Sequence, residues 1–198
     1  TKKKYKDVPY FMLGHSMGSF LLRQYLGLYG DGISGAIVMG TGSKSNLLLT
    51  AGKVLCRIIA FGKGWEYRSK LVNNMAFGGF NKKFSQETNG SDWLSRNPVN
   101  SQKYAKDPLC SFVFTVNAYY QMFCGILAVN HQEKNGKIPK TLPIFLVAGK
   151  DDPVGNFGKS VENIYKNYKS CGIEDVSMKL YENDRHEILN EVDRSLVF

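Results

Sequence analysis

Three short stretches of this chain carry side chains that could do chemistry together. Gly14-His15-Ser16-Met17-Gly18 sets a hydroxyl between two glycines, Asp151-Asp152 precedes Pro153 behind an apolar run, and His186 follows Glu182-Asn183-Asp184-Arg185. A serine hydroxyl is a poor nucleophile until a base takes its proton, and an imidazole base needs a carboxylate to fix its tautomer. The chain has three histidines. His15 lies inside the serine turn and cannot serve as base to its own neighbour. His131 precedes Gly136 away from any strand end and reads as a surface histidine. His186 stands in a loop after the last strand, where a base reaching over a sheet belongs. For the carboxylate, Asp151 and Asp152 both follow a strand, while Asp184 is better placed to cap the loop of His186.

The elements that must position these groups show as apolar runs and helical spacings. Val8 to Leu13 fits a strand buried on both faces. From Met17, the apolar positions Phe20, Leu21, Tyr25 and Leu28 recur at helical spacing until Gly30-Asp31-Gly32 stops them. Ile33 to Met39 and Pro143 to Ala148 are further strands. A helix over Phe157 to Lys169 has the stripe Val161, Ile164, Tyr165 and Tyr168, and Val176 to Tyr181 alternates as a last strand. Strands alternating with helices predict a parallel sheet wrapped by helices. A bare G-x-S-x-G is common by chance, but strand, G-x-S-x-G, helix is the pattern of a nucleophile elbow. The backbone turns so sharply at Ser16 that it is strained, and Gly14 and Gly18 are expected to remove the clashes. Ser16 is thereby lifted above the carboxyl end of the sheet, and the Met17 N–H at a helix N-terminus becomes an oxyanion donor.

Between Gly42 and Pro143 the pattern changes to helical stretches such as Leu47 to Phe61 and Phe112 to Val129. Ser85 to Asp107 is polar, with turn signals at Asn89-Gly90 and Asn97-Pro98. This is too long for a crossover and predicts an inserted lid. The hydrophobic content of 43% and charged content of 22% are those of a globular protein. The net charge of +9 comes from 26 basic against 17 acidic residues, scattered apart from Lys2-Lys3-Lys4 and Lys82-Lys83. Neither run is interleaved with a nucleic-acid motif, so a solvated surface is expected and nucleic acid is not. Cys56, Cys110, Cys124 and Cys171 have no metal-ligand spacing, and three of the four lie in apolar or small-residue surroundings, which predicts buried free thiols in a reducing compartment and a cytoplasmic location. No metal or cofactor is expected. No apolar run is long enough to span a bilayer.

These residues together resemble the α/β-hydrolases of the monoacylglycerol lipase, lysophospholipase and serine aminopeptidase type. The resemblance rests on GHSMGS (Gly14 to Ser19), AGKDDPVG (Ala148 to Gly155) and YENDRHEILNE (Tyr181 to Glu191). The acid-loop form G-x-x-D-P-V falls on Gly149, Asp152, Pro153 and Val154, and so selects Asp152 over Asp151. The histidine-loop form Y-x-x-x-x-H-E falls on Tyr181, His186 and Glu187. The order Ser, Asp, His is also that of these enzymes. The resemblance implies Ser16 as nucleophile, His186 as general base and acid, and Asp152 as its orienter. It also implies an α/β-hydrolase fold: a mostly parallel sheet with helices on both faces and a helical cap inserted between strands. The corresponding division is core over 1–42, cap over 43–110 and core over 111–198.

In that family an N-terminal half of the sheet and an His-Gly oxyanion loop precede the elbow. Neither is in this chain, so a fragment is expected, with the second oxyanion donor absent. The isolated chain is expected to be inactive, with the Val8–Leu13 edge paired to the missing half or to another chain. The expected activity of the whole is hydrolysis of lipid esters of the monoacylglycerol or lysophospholipid type through an acyl-enzyme. The alternatives are an aminopeptidase or other reaction on the same triad, or a non-catalytic module needing its N-terminal half. Leu47, Leu48, Leu49, Val54, Leu55, Ile58, Ile59 and Phe61 are expected either to line an acyl tunnel or to pack cap on core. With Lys53, Arg57 and Lys63 they also suit transient contact with a membrane surface.

Overall fold

The computed structural model describes residues 4–5, 7–84, 90–134 and 137–198. Most of the basic run at Lys2-Lys3, the start of the polar stretch at Ser85, the turn residue Asn89 and Gly136 lie outside the described residues. Four strands, β1 (Phe11–His15), β2 (Gly35–Met39), β3 (Ile144–Gly149) and β4 (Val176–Tyr181), form one parallel sheet in the order β1-β2-β3-β4. His15 is in register with Met39, and Gly149 with Tyr181, so all the strands end at the same side of the sheet. The helices are α1 (Met17–Tyr29), α2 (Asn46–Lys63), α3 (Lys70–Phe77), α4 (Pro98–Lys106), α5 (Val116–Lys134) and α6 (Lys159–Ser170).

The main core lies on one face of the sheet. Leu22 and Leu26 of α1 and Val161, Ile164 and Tyr168 of α6 pack on Ala36, Val38, Ile144, Leu146 and Ala148. The stripe expected for α6 is the one buried. The stripe expected for α1 is not: the buried residues are Ser19, Leu22, Arg23 and Leu26, while Leu21 and Leu28 are exposed. The other face of the sheet carries a smaller cluster, Met39, Val147 and Ile188, covered by the segment with short 3-10 turns at Ile188–Asn190 and Arg194–Leu196. That cover does not reach β1. Phe11 and Leu13, on the same face as Ile37 and Met39, are 61% and 53% exposed, so β1 is not buried on both faces.

A second apolar cluster joins α2, α3 and α5 through Leu49, Cys56, Val72, Tyr119 and Phe123. The two clusters are tied by buried charge. Arg23 of α1 donates from Nε and Nη2 to both carboxylate oxygens of Glu133 on α5, each at 2.8 Å. Its Nη1 donates to Thr41 Oγ1 and the Gly42 carbonyl at 3.0 and 2.8 Å, and Tyr168 of α6 donates its hydroxyl to Glu133. Burial alone would lower the Arg23 pKa; the charge and hydrogen bonds of Glu133 raise it instead. All four cysteines are free, but only Cys56 is buried and Cys110 is exposed. No helix among the described residues is long and apolar enough to cross a membrane.

Candidate active site

Every group singled out for chemistry lies just past the carboxyl end of a strand. Ser16 follows β1 with φ 54° and ψ −122°, a conformation that a residue with a side chain rarely adopts. The strained peptide is held from both sides. The Ser16 N–H donates to the Met39 carbonyl at 3.1 Å, and the Ser16 carbonyl accepts from the Ser19 N–H and hydroxyl at 2.9 and 2.5 Å. The glycines that flank it are not equivalent. A Cβ on Gly14 would stand 2.4 Å from the Gly18 carbonyl and 2.9 Å from Leu22 Cβ, so the first turn of α1 can lie on β1 only if Gly14 is bare. A Cβ on Gly18 would meet nothing within 4 Å in this chain, which corrects the expectation that both glycines relieve clashes. Met17 opens α1, whose first-turn N–H groups have no partner within the helix and whose first turn carries no acidic residue.

The acid loop follows β3 and separates its two aspartates. Asp152 is fully buried; its Oδ1 accepts from the Val154 N–H at 2.8 Å and its Oδ2 lies 2.9 Å from His186 Nδ1. Asp151 points to the surface and pairs with Lys83 at 2.6 Å. The histidine loop crosses directly over Gly149, where a Cβ would stand 2.1 and 2.2 Å from the Asp184 and Arg185 carbonyls. The bare Gly149 is therefore what lets His186 approach Asp152. His186 Nε2 is buried with no hydrogen-bond partner, so Ser16 and His186 are not bonded to each other in this structure. His131 is exposed at the end of α5, far in sequence and element from these loops.

The histidine loop is also bonded to the segment between α3 and α4. The His186 and Glu187 N–H groups donate to the Trp93 and Leu94 carbonyls at 3.4 and 2.8 Å, and Arg185 Nη1 donates to the Asp92 carbonyl at 2.6 Å. Arg96 lies among three carboxylates, 2.7 Å from Asp184, 2.6 Å from Asp193 and 3.7 Å from Glu191. These three are the one group among the described residues whose oxygens converge as metal ligands would, and the Arg96 guanidinium already stands among them. With one cation for three acids, burial, followed by the charge and hydrogen bond of Asp193, pushes the Asp184 pKa up to about 6 against the pull of Arg96. Asp184 is thus part of an ion cluster rather than a simple cap.

A cavity of about 1040 Å³ opens at Ser16. Its walls include Met75 and Phe77 of α3, Met122, Phe123 and Ile126 of α5, Phe114, and Trp93 beside the elbow. Of the eight α2 residues considered for a tunnel, Leu48 and Leu49 line it; Leu55 and Ile59 pack in the apolar cluster, and Leu47, Val54, Ile58 and Phe61 face outward. The model for the family described as serine aminopeptidase, S33, matches residues 1–193. The chain belongs to this family of α/β-hydrolases. No curated protein matches it significantly. Among solved structures, a thermostable carboxyl esterase from Bacillus coagulans is similar over 99% of this chain and 64% of its own, with 28% identity and a TM-score of 0.87. A lipase in its open form (24% identity, TM-score 0.81) is covered over 98% of this chain and 63% of its own, and a monoglyceride lipase from Saccharomyces cerevisiae (19%, 0.66) over 98% and 59%. These two share the fold. The chain therefore spans less than two thirds of the length of each of these three structures.

Sequence reasoning missed Trp93 and Arg96 and dismissed His15. Trp93 had a signal, an aromatic residue set in an otherwise polar stretch. Arg96 had none, because its three partners lie 88 to 97 positions away.

Proposed function

We propose that this chain is the larger part of a serine esterase for lipid esters. Ser16 attacks the acyl carbon, His186 takes its proton and returns it to the leaving alcohol, and Asp152 orients His186. The Met17 N–H supplies one oxyanion donor, and a second comes from sequence outside this chain. The observation that carries the reading is the buried Asp152–His186 pair at 2.9 Å beside an apolar cavity that opens at Ser16. The carboxyl esterase neighbour agrees with it. An aminopeptidase would need an acidic group to hold the substrate's ammonium. No Asp or Glu is among the described residues that line the cavity, and Lys44 is their one full charge. This favours an acyl chain over an aminoacyl group.

Two contacts follow from the same reading. The exposed Phe11 and Leu13 suit a strand that lies outside this chain and completes the sheet at β1. We take residues 43–110 as a cap whose outer helix α2 touches a lipid surface. Leu47, Val54, Ile58 and Phe61 are exposed on it, and it holds Lys53, Arg57 and Lys63 with no acidic residue.

The test uses the full-length protein that carries this chain. Ser16→Ala should abolish hydrolysis of p-nitrophenyl esters while the melting temperature stays in place, and a serine-directed phosphonate should label Ser16. Aminoacyl amides should be poor substrates. Turnover that persists in a folded Ser16→Ala protein would falsify the acyl-enzyme.

A further inference from the structure

His15 cannot be a base for Ser16, yet it touches the base directly. Its ring centre is 4.7 Å from that of His186, tilted by 39°, and its Nε2 lies 3.2 Å from the His186 main-chain carbonyl. A carbonyl only accepts, so His15 Nε2 carries the proton. Burial, and after it the neighbouring His186, lower the His15 pKa, which keeps the ring uncharged near neutral pH and its Nδ1 bare. The Trp93 ring centre also lies 5.1 Å from that of His186. The His186 imidazole thus has two rings against it, with Asp152 on its Nδ1. One of those rings belongs to a strand: His15 ends β1, in register with Met39. Gly40, which follows Met39, lies under both imidazoles, since a Cβ there would stand 3.1 Å from each.

We propose that His15 is a positioning residue: its Nε2–H holds the His186 carbonyl, and its ring face holds the His186 ring at the elbow. This rests on the reading of Ser16, His186 and Asp152 as an acyl-transfer site. The bonds that form and break remain those of that reaction. The Ser16 proton passes to His186 Nε2 and from there to the leaving alcohol, while His15 gains and loses none. What His15 contributes is a fixed ring position and an uncharged π-face beside the imidazolium that forms. A side chain one residue before the nucleophile therefore links the strand of the nucleophile to the loop of the base.

The experiment compares His15→Leu with His15→Gln in the full-length protein. The glutamine amide nitrogen can stand where His15 Nε2 stood; leucine fills the space without a donor. The leucine variant should lose about 10- to 100-fold in kcat, the scale of a misplaced catalytic group, with KM within about twofold of wild type. Glutamine should restore kcat to within about threefold of wild type. If the leucine variant does not fold, His15→Asn replaces it, because its shorter amide cannot reach the carbonyl. The proposal is overturned if the donor-free variant keeps its kcat, if the loss falls on KM, or if a folded glutamine variant is equally slow. A wild-type protein that hydrolyses no ester overturns the esterase reading alone. The role of His15 is then read from the ¹⁵N resonances of the His186 ring. They should be a single narrow set in wild type and His15→Gln, and broadened or doubled in the donor-free variant; identical spectra in all three would overturn it.

Discussion

Asp152 and Asp151 are adjacent in sequence and opposite in environment, which makes the pair a sharp test of the site. Both oxygens of Asp152 are used as acceptors, Oδ1 by the Val154 N–H at 2.8 Å and Oδ2 by His186 Nδ1 at 2.9 Å. In Asp152→Asn one of these positions becomes an NH₂ group. If it faces Val154, two donors meet in a buried site, at a cost of about 1–3 kcal/mol. If it faces His186, Nδ1 must give up its proton and Nε2 must take one, and a protonated Nε2 cannot act as base. The first route keeps the tautomer only at that cost and without the carboxylate charge, so the second, which loses the base, is favoured; neither changes side-chain volume. The expected loss in kcat is about 10⁴-fold, equivalent to about 5.5 kcal/mol in the barrier, the size seen when this tautomer is lost in other triads. Asp151→Asn removes only an exposed pair with Lys83. Such pairs are worth about 0–1 kcal/mol, so the rate should change by no more than about fivefold. The assay is steady-state ester hydrolysis by the full-length protein, with thermal melts to confirm folding. An Asp152→Asn enzyme within tenfold of wild type, or an Asp151→Asn enzyme equally impaired, would refute the assignment of the orienter.

Three further outcomes follow from the geometry. Gly14→Ala should destabilise the chain by about 1–3 kcal/mol in urea unfolding, because its Cβ strikes the Gly18 carbonyl, while Gly18→Ala should be neutral or stabilising by up to about 1 kcal/mol; equal effects would contradict the close approach described here. Leu48→Trp should shift ester preference toward short acyl chains, whereas Ile59→Trp should lower stability and leave the preference alone, and the reverse result would move the tunnel wall to the other side of α2. Asp184 has its folded-state pKa raised to about 6, so the stability it contributes is complete below the ordinary carboxylate value of about 3.9 and is lost as pH rises through 6. Asp193 works in the opposite sense: burial pushes its pKa up, but hydrogen bonds from Arg96, the backbone and Asp184 bring it below the usual range, so its contribution is lost only as pH falls toward that value. Melting temperatures of Asp184→Asn should therefore lack the decline between about pH 4 and pH 6, and an unchanged slope would remove Asp184 as its source.

What the sequence made legible divides along physical lines. β4 and the stripe of α6 were readable because both bury a face against neighbours within this chain, and alternation or helical spacing reports that directly. The stripe of α1 was misread because the spacing of apolar residues shows that a helix has faces, not which of them is covered. Here the covered face includes Arg23, made tolerable by Glu133 110 positions away, and local patterning does not register such a partner. β1 has the composition of a buried strand, yet its cover is not in these residues. The nucleophile turn was readable because a strained backbone demands a particular local sequence. The two aspartates were not separable from the residues alone; the motif chose one, and the structure puts that one against His186 and the other against Lys83. Trp93, Arg96 and His15 depend on contacts between distant segments, which spacing does not encode.

The hydrogen bonds between the 92–96 segment and the histidine loop bear on how members of this α/β-hydrolase family can be recombined. Residues between two strands look like a cassette that evolution or an engineer could exchange at its ends. In this protein the exchange would carry away the Trp93 and Leu94 carbonyls that receive the His186 and Glu187 amides, and the guanidinium that pairs with Asp184 and Asp193. A graft cut at 43 and 110 would thus leave His186 in a loop with three uncompensated acids. A graft that ends before Asp92 would keep it intact. By these contacts the unit to keep together is the histidine loop and residues 92–96, and grafts of the proposed cap should have their crossover points on the far side of that strip.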